Sequence, residues 1–378
     1  HRRIAEAVAE ATGGMAPLPV QREGQQIRLR LNLLPRGHEL LVVPATSAAV
    51  APPPASPPAA ARRTPVSLSP RGIRRIRPNL LYVDYGDLAA YGQTRADLNT
   101  AAADTQNWRW QGFDGNPWDR QFRRNLIDRP VDPGTGFSFN YRFTIAPDIS
   151  PAAIASLQVG LERPGLYRLD LNGSPLEQSR GERWFDENMR AFPIGQLARP
   201  GENALTLTAQ PFHILCMIMP IYVLGDFALA PAARGFVIGN PVTLTMGDWT
   251  AQGLPFYPDR VRYEFGFDLA QPTVRLLARL PAWEGSVGVV LLNGREIAPV
   301  MHPPYECEIP GPLAPGSHTL ALDILGSVRN MMGAHHFFDK LPLRGSFEGA
   351  PAHMPPGSSY RRDPSGLFAP PELFAIAP

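Results

Sequence analysis

An alternating strand that ends in an Asn-Gly turn occurs twice in this chain and constrains its fold more than any other feature. The first copy, residues 166–173, reads LYRLDLNG, and the second, residues 289–294, reads VVLLNG. Alternation with a period of two is typical of a β-strand with one solvated face. Asn-Gly accepts the positive φ of a tight reversal. We therefore predict antiparallel strands joined by turns in both places.

The similarity between the two copies continues beyond the turns. Residues 194–201 (IGQLARPG) match residues 309–316 (IPGPLAPG), with Ile first and Pro-Gly last in both blocks. Alternating strands follow the blocks, at 204–209 and at 319–324. Three matches in the same order indicate a duplicated β domain.

Length and composition fit two such domains. The chain has 378 residues, which exceeds the size at which one hydrophobic core keeps growing. Its 43 Pro and 34 Gly are many, but 44% of the residues are hydrophobic. Turn-rich β structure therefore fits this composition better than disorder.

Charge and hydropathy argue against two classes of partner. The 36 basic and 34 acidic residues are interspersed, so the chain lacks the concentrated positive face that binding of nucleic acid requires. The longest apolar run, residues 214–224, contains Pro220 and is too short to span a membrane. Cys216 and Cys307 lie in different repeats and do not indicate a disulfide scaffold.

Changes in composition divide the chain into four parts. Residues 1–44 contain two candidate strands and are interpreted as the remnant of an upstream β domain. Residues 45–76 begin with a stretch of Ala, Pro, Ser and Thr that favours extended polyproline II, which predicts a linker or a long loop. Residues 77–235 are predicted to form one β-sandwich, with a short helix at 96–104. Residues 236–378 are predicted to form a second β-sandwich, closed by a returning C-terminal strand.

These residues also carry a family resemblance. The string LYRLDLNG, followed by FPIGQLARPGENALTL, resembles the sugar-binding, galactose-binding-like β-sandwich of glycoside hydrolase family 2. The later strings LPFYPDRVRY, LLNGREI, HPPYECEI and SVRNMMGAHH resemble the C-terminal jelly-roll modules of large bacterial hydrolases of the family 106 rhamnosidase type. The likeness covers roughly residues 78–370.

The resemblance implies an all-β fold class with tandem jelly-roll (galactose-binding-like) β-sandwiches. It also implies a C-terminal region, secreted or periplasmic, that binds or positions polysaccharide or oligosaccharide for a glycoside hydrolase. The catalytic domain would lie upstream and outside this chain. No cofactor is required, and structural calcium held by Asp carboxylates and backbone carbonyls is compatible with the resemblance. Two alternatives remain open: a bracing module that binds no sugar, and a complete glycosidase.

One loop has the composition of a carbohydrate contact. Sugars are bound by flat aromatic faces with carboxylates and amides around the hydroxyl groups. Asp114, Asn116 and Trp118 combine these groups within the segment FDGNPWD. The alternative is structural, because Asp114 and Asn116 also suit Asx turns and Trp118 also suits the end of a sandwich.

A second loop, RWFDEN at 183–188, places Trp184 close to Glu187, and either a sugar contact or a core position suits this Trp. In the second repeat, Trp249, Tyr257 and Tyr305 lie near predicted turns and are similar candidates. Their alternative is that aromatic residues beside Pro brace a jelly roll instead of facing a ligand.

The segment SVRNMMGAHH at 327–336 is the remaining candidate. Adjacent histidines point to opposite sides of a strand, and no third ligand stands at a recognisable spacing, so a metal site is not predicted. By resemblance, Arg329, Asn330 and His335 are candidates for lining the pocket of an upstream catalytic domain.

Catalysis within the chain finds no support. A glycosidase needs two carboxylates across the scissile bond, and nothing in the sequence pairs two acids persuasively. There is no nucleophile elbow, phosphate-binding loop, dinucleotide fingerprint or H-E-x-x-H motif. We therefore assign no catalytic residue to this chain.

Overall fold

Strict alternation in the sequence produces a central strand of the first sandwich. In the computed structural model, the apolar side chains of Phe137–Ile145 are buried at every second position, and the polar ones between them are open to solvent. The structure describes residues 20–23, 26–29, 41, 62–113, 134–177, 179, 181–333, 335–336 and 349–376. The Pro-rich stretch at 45–61 lies outside these residues.

The described residues form 26 strands and three α-helices. The strands in chain order are β1 Val20–Glu23, β2 Gln26–Leu29, β3 Arg63–Val66, β4 Ser69–Arg75, β5 Asn79–Val83, β6 Tyr85–Ala90, β7 Gln93–Asn99, β8 Phe137–Ile145, β9 Gln158–Glu162, β10 Arg168–Leu171, β11 Ser174–Pro175, β12 Glu182–Arg183, β13 Met189–Pro193, β14 Gly201–Ala209, β15 Ile221–Gly225, β16 Ala228–Pro231, β17 Phe236–Gly239, β18 Arg260–Leu269, β19 Thr273–Arg279, β20 Trp283–Glu284, β21 Val287–Leu292, β22 Arg295–Val300, β23 Glu306–Leu313, β24 Gly316–Leu325, β25 Gly366–Leu367 and β26 Glu372–Ile376. The helices are α1 Thr100–Trp110, α2 Pro151–Ala155 and α3 Val328–Met332.

Two sheets form sandwich 1. In the first sheet, strands pair in the order β11-β10-β14-β8, and β8 also pairs with β6 and, in parallel, with β17. The second sheet has the order β12-β13-β9-β15-β5 and is antiparallel throughout. The core between them contains inward residues of both sheets, such as Phe139 and Tyr141 from the first and Val159 and Val223 from the second.

Sandwich 2 repeats this topology. Its sheets have the orders β22-β21-β24-β18-β4 and β23-β19-β26-β3. Each of these strands corresponds to one strand of sandwich 1. The order β22-β21-β24-β18-β4 corresponds to β11-β10-β14-β8-β6, and the order β23-β19-β26-β3 corresponds to β13-β9-β15-β5. The prediction of an all-β fold built from duplicated β-sandwiches is therefore confirmed.

The duplication extends to the Asn-Gly turns. Asn172 and Asn293 have φ of 52° and 51°, and the Gly that follows has φ of 82° and 81°. The Asn172 side-chain oxygen accepts from the Ala204 backbone N–H at 3.0 Å, and that of Asn293 accepts from Thr319 at 2.9 Å. Each turn is thus anchored in the same way to the neighbouring strand, β14 or β24.

The arrangement of the two sandwiches differs from the tandem order expected. Strands β3 and β4 belong to sandwich 2, where they pair with β26 and β18. The chain builds all of sandwich 1 before it returns to sandwich 2 at β18. Sandwich 1 is therefore inserted between β4 and β18, and the prediction of a linker over residues 45–76 is wrong for residues 63–75.

Two further boundaries need correction. Residues Phe236–Gly239 were expected to open the second sandwich, but they pair with β16 and β8 of sandwich 1. The helix predicted at 96–104 begins only at Thr100, because Asn99 ends β7 and its side chain caps the helix by accepting from the Ala101 N–H. None of the helices in the described ranges is both long enough and apolar enough to cross a membrane.

Candidate carbohydrate-contact site

The aromatic hairpin, defined as residues 182–190, forms one edge of sandwich 1. Glu182 pairs with Ala191 and Arg183 with Arg190, so that β12 and β13 enclose a short loop. Strand β12 is the outermost strand of the second sheet. The edge position leaves the loop open to solvent, and residues 185–188 are exposed.

The loop is held by its own hydrogen bonds. The Asp186 Oδ1 atom accepts from the backbone N–H of Asn188 at 2.7 Å and of Met189 at 3.1 Å. The Trp184 backbone N–H donates to the Met189 carbonyl at 3.2 Å. Asp186 therefore has a structural role, as expected for an Asx turn, and the loop is ordered before any ligand arrives.

Two aromatic rings lie next to each other on this loop. The ring of Trp184 covers Gly160 of β9, where an added Cβ would lie 2.8 Å from the indole. Its centroid is 5.2 Å from that of Tyr222 and 5.9 Å from that of Phe185. Because one face of Trp184 rests on the sheet, Phe185 provides most of the exposed aromatic surface.

Phe185 adopts an uncommon backbone conformation. Its φ is 60°, and 49% of its surface is exposed. A positive φ strains a bulky residue, and such strain persists where the surrounding structure fixes it, often at binding sites. The turn bonds of Asp186 provide that constraint, and they hold an apolar ring toward solvent.

Acidic groups surround these rings. Glu187 is exposed, and its backbone carbonyl accepts from Arg190 Nη1 at 2.8 Å. Burial, followed by the charges of Glu162 and Asp186, raises the pKa of Tyr222, so its hydroxyl stays protonated. An aromatic surface with adjacent carboxylates can cover the C–H face of a sugar and accept hydrogen bonds from its hydroxyl groups.

The structure brings together Trp184 and Glu187, two of the residues predicted from sequence. Asp114, Asn116 and Trp118 lie outside the described residues, so their prediction stays untested. Tyr305 is half-buried in sandwich 2, with its ring centroid 5.4 Å from that of Trp283. Tyr305 and the aromatic hairpin belong to different sandwiches.

The predictions for Trp249 and Tyr257 are corrected by their burial. Trp249 is 1% exposed and Tyr257 is 0% exposed, and both belong to the core of sandwich 2. The Tyr257 hydroxyl donates to the Arg260 carbonyl at 2.8 Å and accepts from the Arg77 N–H at 3.1 Å. Neither ring offers a face to a sugar, and Tyr257 instead braces the junction between the sandwiches.

Arg329, Asn330 and His335, the candidates for lining the pocket of an upstream catalytic domain, make contacts within this chain. Arg329 forms an ion pair with Asp363, and Asn330 donates to the Asp363 carbonyl at 2.8 Å. His335 is 2% exposed, and its Nδ1 lies 2.9 Å from the Arg361 carbonyl. These side chains attach the segment after α3 to the C-terminal segment, so their contacts are internal.

The sequence does not predict the buried polar cluster around Asp84. The Asp84 carboxylate, which is 1% exposed, accepts from Tyr360 Oη at 2.9 Å and lies 2.8 Å from His336 Nε2. It also accepts from Asn99 Nδ2 at 3.2 Å. No local pattern could reveal this cluster, because its members are separated by up to 276 residues. Phe185, by contrast, lies in the same loop as Trp184, and its position beside this Trp is a signal that the sequence contains.

Carboxylates also meet at a cleft on the other sheet of sandwich 1. This Asp97 cleft has a volume of about 450 Å³, and its rim is formed by Asp87, Asp97, Arg142, Glu202 and Arg234. Each of these carboxylates is paired with a guanidinium group, so the cleft does not present the free acid and base that a glycosidase places across the scissile bond.

Asp104, the carboxyl group with a raised pKa, is not placed to act as a general acid. Burial raises the pKa of Asp104 to about 6, but this carboxylate accepts from Trp108 Nε1 and the Ile218 N–H inside the core. It therefore has no access to a substrate. Within the described ranges, no three His, Cys, Asp or Glu side chains are arranged to hold a metal ion.

Comparison with known proteins gives structural likenesses only. Neither the family models nor the curated proteins contain a match to this chain. Among solved structures, the rhamnosidase from Novosphingobium sp. PP1Y is similar over 66% of this chain and 24% of its own, at 17% identity and a TM-score of 0.25. The β-D-mannosidase from Dictyoglomus thermophilum is similar over 66% of this chain and 31% of its own, at 11% identity and a TM-score of 0.26.

The exo-chitosanase from Amycolatopsis orientalis gives a similar result, with 65% of this chain and 28% of its own covered, 9% identity and a TM-score of 0.26. The aligned part thus spans about a quarter to a third of each of these glycoside hydrolases. At such low TM-scores the likeness carries no weight for activity. The β-sandwich fold rests on the strand pairing described above.

Proposed function

We propose that the aromatic hairpin contacts carbohydrate and that the chain serves as a non-catalytic, polysaccharide-positioning region of a glycoside hydrolase. The observation that carries this proposal is the exposed Phe185 ring beside Trp184 and Glu187, on a loop that is already ordered. An ordered aromatic surface loses little conformational entropy on binding. The family resemblance of the sequence supports the same proposal.

The ligand class follows from the shape of the surface. The hairpin projects from a sheet edge with its loop open to solvent, which suits a stretch of polysaccharide. The hairpin carries Glu182, Asp186 and Glu187 together with Arg183 and Arg190, so this nearly balanced charge gives no strong attraction for a highly charged polymer. We therefore expect a neutral polysaccharide to be the preferred ligand.

Affinity electrophoresis tests this proposal. The 378-residue chain is run through native gels that contain one of several soluble neutral or acidic polysaccharides. We expect retardation by at least one neutral polymer. Phe185→Ala should weaken that retardation about five- to tenfold, because an aromatic contact contributes about 1 kcal/mol.

Phe368→Ala is the matched control. Phe368 is 43% exposed, compared with 49% for Phe185, but it follows β25 in sandwich 2. Its replacement should leave migration unchanged. Equal loss in both variants would indicate a general effect of surface hydrophobicity and would contradict a site at the hairpin. If none of the polymers retards the chain, the proposal is wrong.

Bracing is the second candidate function, and the Asp84 cluster favours it. This carboxylate connects sandwich 1 to His336 and Tyr360, which lie between β24 and β25. If bracing is the whole function, Asp84→Asn should lower the midpoint of thermal unfolding while no polysaccharide retards the unmodified chain. Retardation that depends on Phe185 would instead favour carbohydrate contact.

A further inference from the structure

The Asp97 cleft is built by two parts of the chain that are distant in sequence. Most of its lining comes from sandwich 1, namely residues 81–87, 96–97, 142–144, 202 and 234–236, and the rest is Met354 and Tyr360 of the segment 349–360. Tyr85 Oη donates to the Pro351 carbonyl at 2.9 Å, and the Gly235 N–H donates to the Pro355 carbonyl at 2.8 Å. These bonds fix the segment 349–360 against the sandwich, so the cleft is preformed.

A continuous polar network crosses the cleft. The Asp97 backbone N–H donates to Asp87 Oδ1 at 2.9 Å, and Asp87 Oδ2 accepts from Arg142 Nη2 at 2.6 Å. Arg142 Nη1 then donates to Glu202 Oε1 at 2.9 Å. On the other side, Arg234 Nη2 donates to Asp97 Oδ1 at 2.5 Å. Donors and acceptors therefore alternate along the rim.

The backbone of Asp97 is strained. Its φ is 58°, in the left-handed region, and its carboxylate lies 3.2 Å from His353 Nδ1 while accepting from the Met354 N–H at 3.4 Å. A non-glycine residue keeps this conformation where several contacts over-determine it, and such residues cluster at ligand sites.

We propose that the Asp97 cleft binds one or two units of a neutral sugar. Its volume of about 450 Å³ falls within the range of small-molecule sites, about 300–1,000 Å³. Four carboxylates and two guanidinium groups line it, so an anionic sugar is disfavoured. A hydroxyl group both donates and accepts, and it can therefore satisfy a carboxylate and a guanidinium that are adjacent.

This site is separate from the aromatic hairpin. Asp87 and Arg142 lie on the outer face of the first sheet of sandwich 1, where β8 points its polar side chains. The hairpin lies at the edge of the second sheet. The inference therefore goes beyond the proposed polysaccharide contact, and either one can fail without the other.

The experiment uses the whole chain with its methionine methyl groups labelled with ¹³C. Met354 lines the cleft, and the chain contains nine Met. Its resonance is identified by its loss in Met354→Leu. We titrate with methyl glycosides of neutral hexoses and, separately, with glucuronic acid. We expect a saturable shift of the Met354 signal, with Kd on the order of millimolar, for at least one neutral glycoside.

Two variants tie the shift to the polar rim. Arg142→Gln replaces the guanidinium group with a neutral amide and so breaks the ion pairs with Asp87 and Glu202. It should weaken binding at least tenfold. Arg168→Gln is its control, because Arg168 is an exposed Arg paired with Asp170 at 3.2 Å on the same sheet but outside the cleft. This variant should bind like the unmodified chain. Circular dichroism verifies that both variants are folded.

Several results would overturn the inference. These are no shift of the Met354 signal with any neutral glycoside, equal or tighter binding of glucuronic acid, or a shift that survives Arg142→Gln unchanged. Phe185→Ala must leave the shift intact, since it removes the hairpin surface only. If Phe185→Ala abolishes the shift, the sugar binds at the hairpin and the cleft site is wrong. A shift that persists in Phe185→Ala while gel retardation is lost would support both sites.

Discussion

His335 should make the stability of the chain sensitive to mildly acidic pH. The ring lies in a buried aromatic environment, with centroids 4.7 Å from Tyr82 and 5.1 Å from Phe256. Its Nδ1 lies 2.9 Å from the Arg361 carbonyl, so this nitrogen carries the proton. The Nε2 atom is buried and has no hydrogen-bond partner among the described residues. Protonation there would place an unsatisfied cation in the core.

The pKa of His335 reflects this environment. Burial lowers it from 6.5 to about 4, against the smaller opposing effects of the Arg361 carbonyl and the Asp84 charge, while His336 and Arg329 lower it slightly further. Between pH 4 and pH 6.5 the unfolded chain binds a proton that the folded chain does not. The free energy of unfolding therefore rises with pH across this window, and it falls as the pH is lowered.

The size of the effect follows from the two pKa values. At about pH 4.5 the unfolded state is almost fully protonated at this position and the folded state only in part. The expected loss of stability relative to about pH 7.5 is about 2.5 kcal/mol from His335 alone. Other groups also contribute to the total pH dependence, so a variant is needed to isolate this part.

His335→Gln is that variant, because its amide can still donate to the Arg361 carbonyl but does not titrate. Chemical denaturation, followed by tryptophan fluorescence, gives the free energy of unfolding at both pH values. The change between them should be smaller in His335→Gln by about 2.5 kcal/mol. Equal pH dependence in the unmodified chain and His335→Gln would refute the reasoning.

Three further substitutions test other features. Asn172→Ala removes the bond to the Ala204 N–H and places at positive φ a residue that tolerates this conformation less well than Asn. The free energy of unfolding, measured by thermal unfolding, should fall by about 2–4 kcal/mol. A loss below about 1 kcal/mol would contradict the anchoring role. Asp323→Asn removes the charge and one of the two acceptors that bind Arg262 at a fully buried carboxylate, so it should lower the free energy of unfolding by about 2–4 kcal/mol; unchanged stability would contradict a stabilising role for this ion pair. Gly160→Ala should displace Trp184, because the added Cβ would lie 2.8 Å from the indole, and should weaken polysaccharide retardation; normal retardation would exclude this ring from the site.

The framework of the fold was predictable because its signals are local. Alternation marked β8 from Phe137 to Ile145, and the Asn-Gly dipeptides marked the same turn in both repeats. The insertion of sandwich 1 was not predictable. Strand β4 reads SPRGIRR and has almost no apolar alternation, because it pairs with β18 at the edge of its sheet and most of its side chains face solvent.

The candidate site was predictable only in part. A Trp within an acidic loop identified the aromatic hairpin, and the structure adds Phe185 and its supporting Gly160. The same reasoning failed for Trp249 and Tyr257, because nearby turns do not determine whether an aromatic ring points into the core. The Asp97 cleft gave no signal, since its parts come together only when the chain folds.

The position of sandwich 1 between β4 and β18 has a consequence for how the polypeptide is made. About 185 residues separate the end of β4 at Arg75 from the start of β18 at Arg260, and ribosomes add about 5–20 residues per second. Strand β4 thus remains without its partner for roughly ten to forty seconds, while the ribosome synthesises the chain up to β18. Its Arg side chains at 71, 74 and 75 repel other unpaired strands during that delay, and so protect the newly made chain from aggregation.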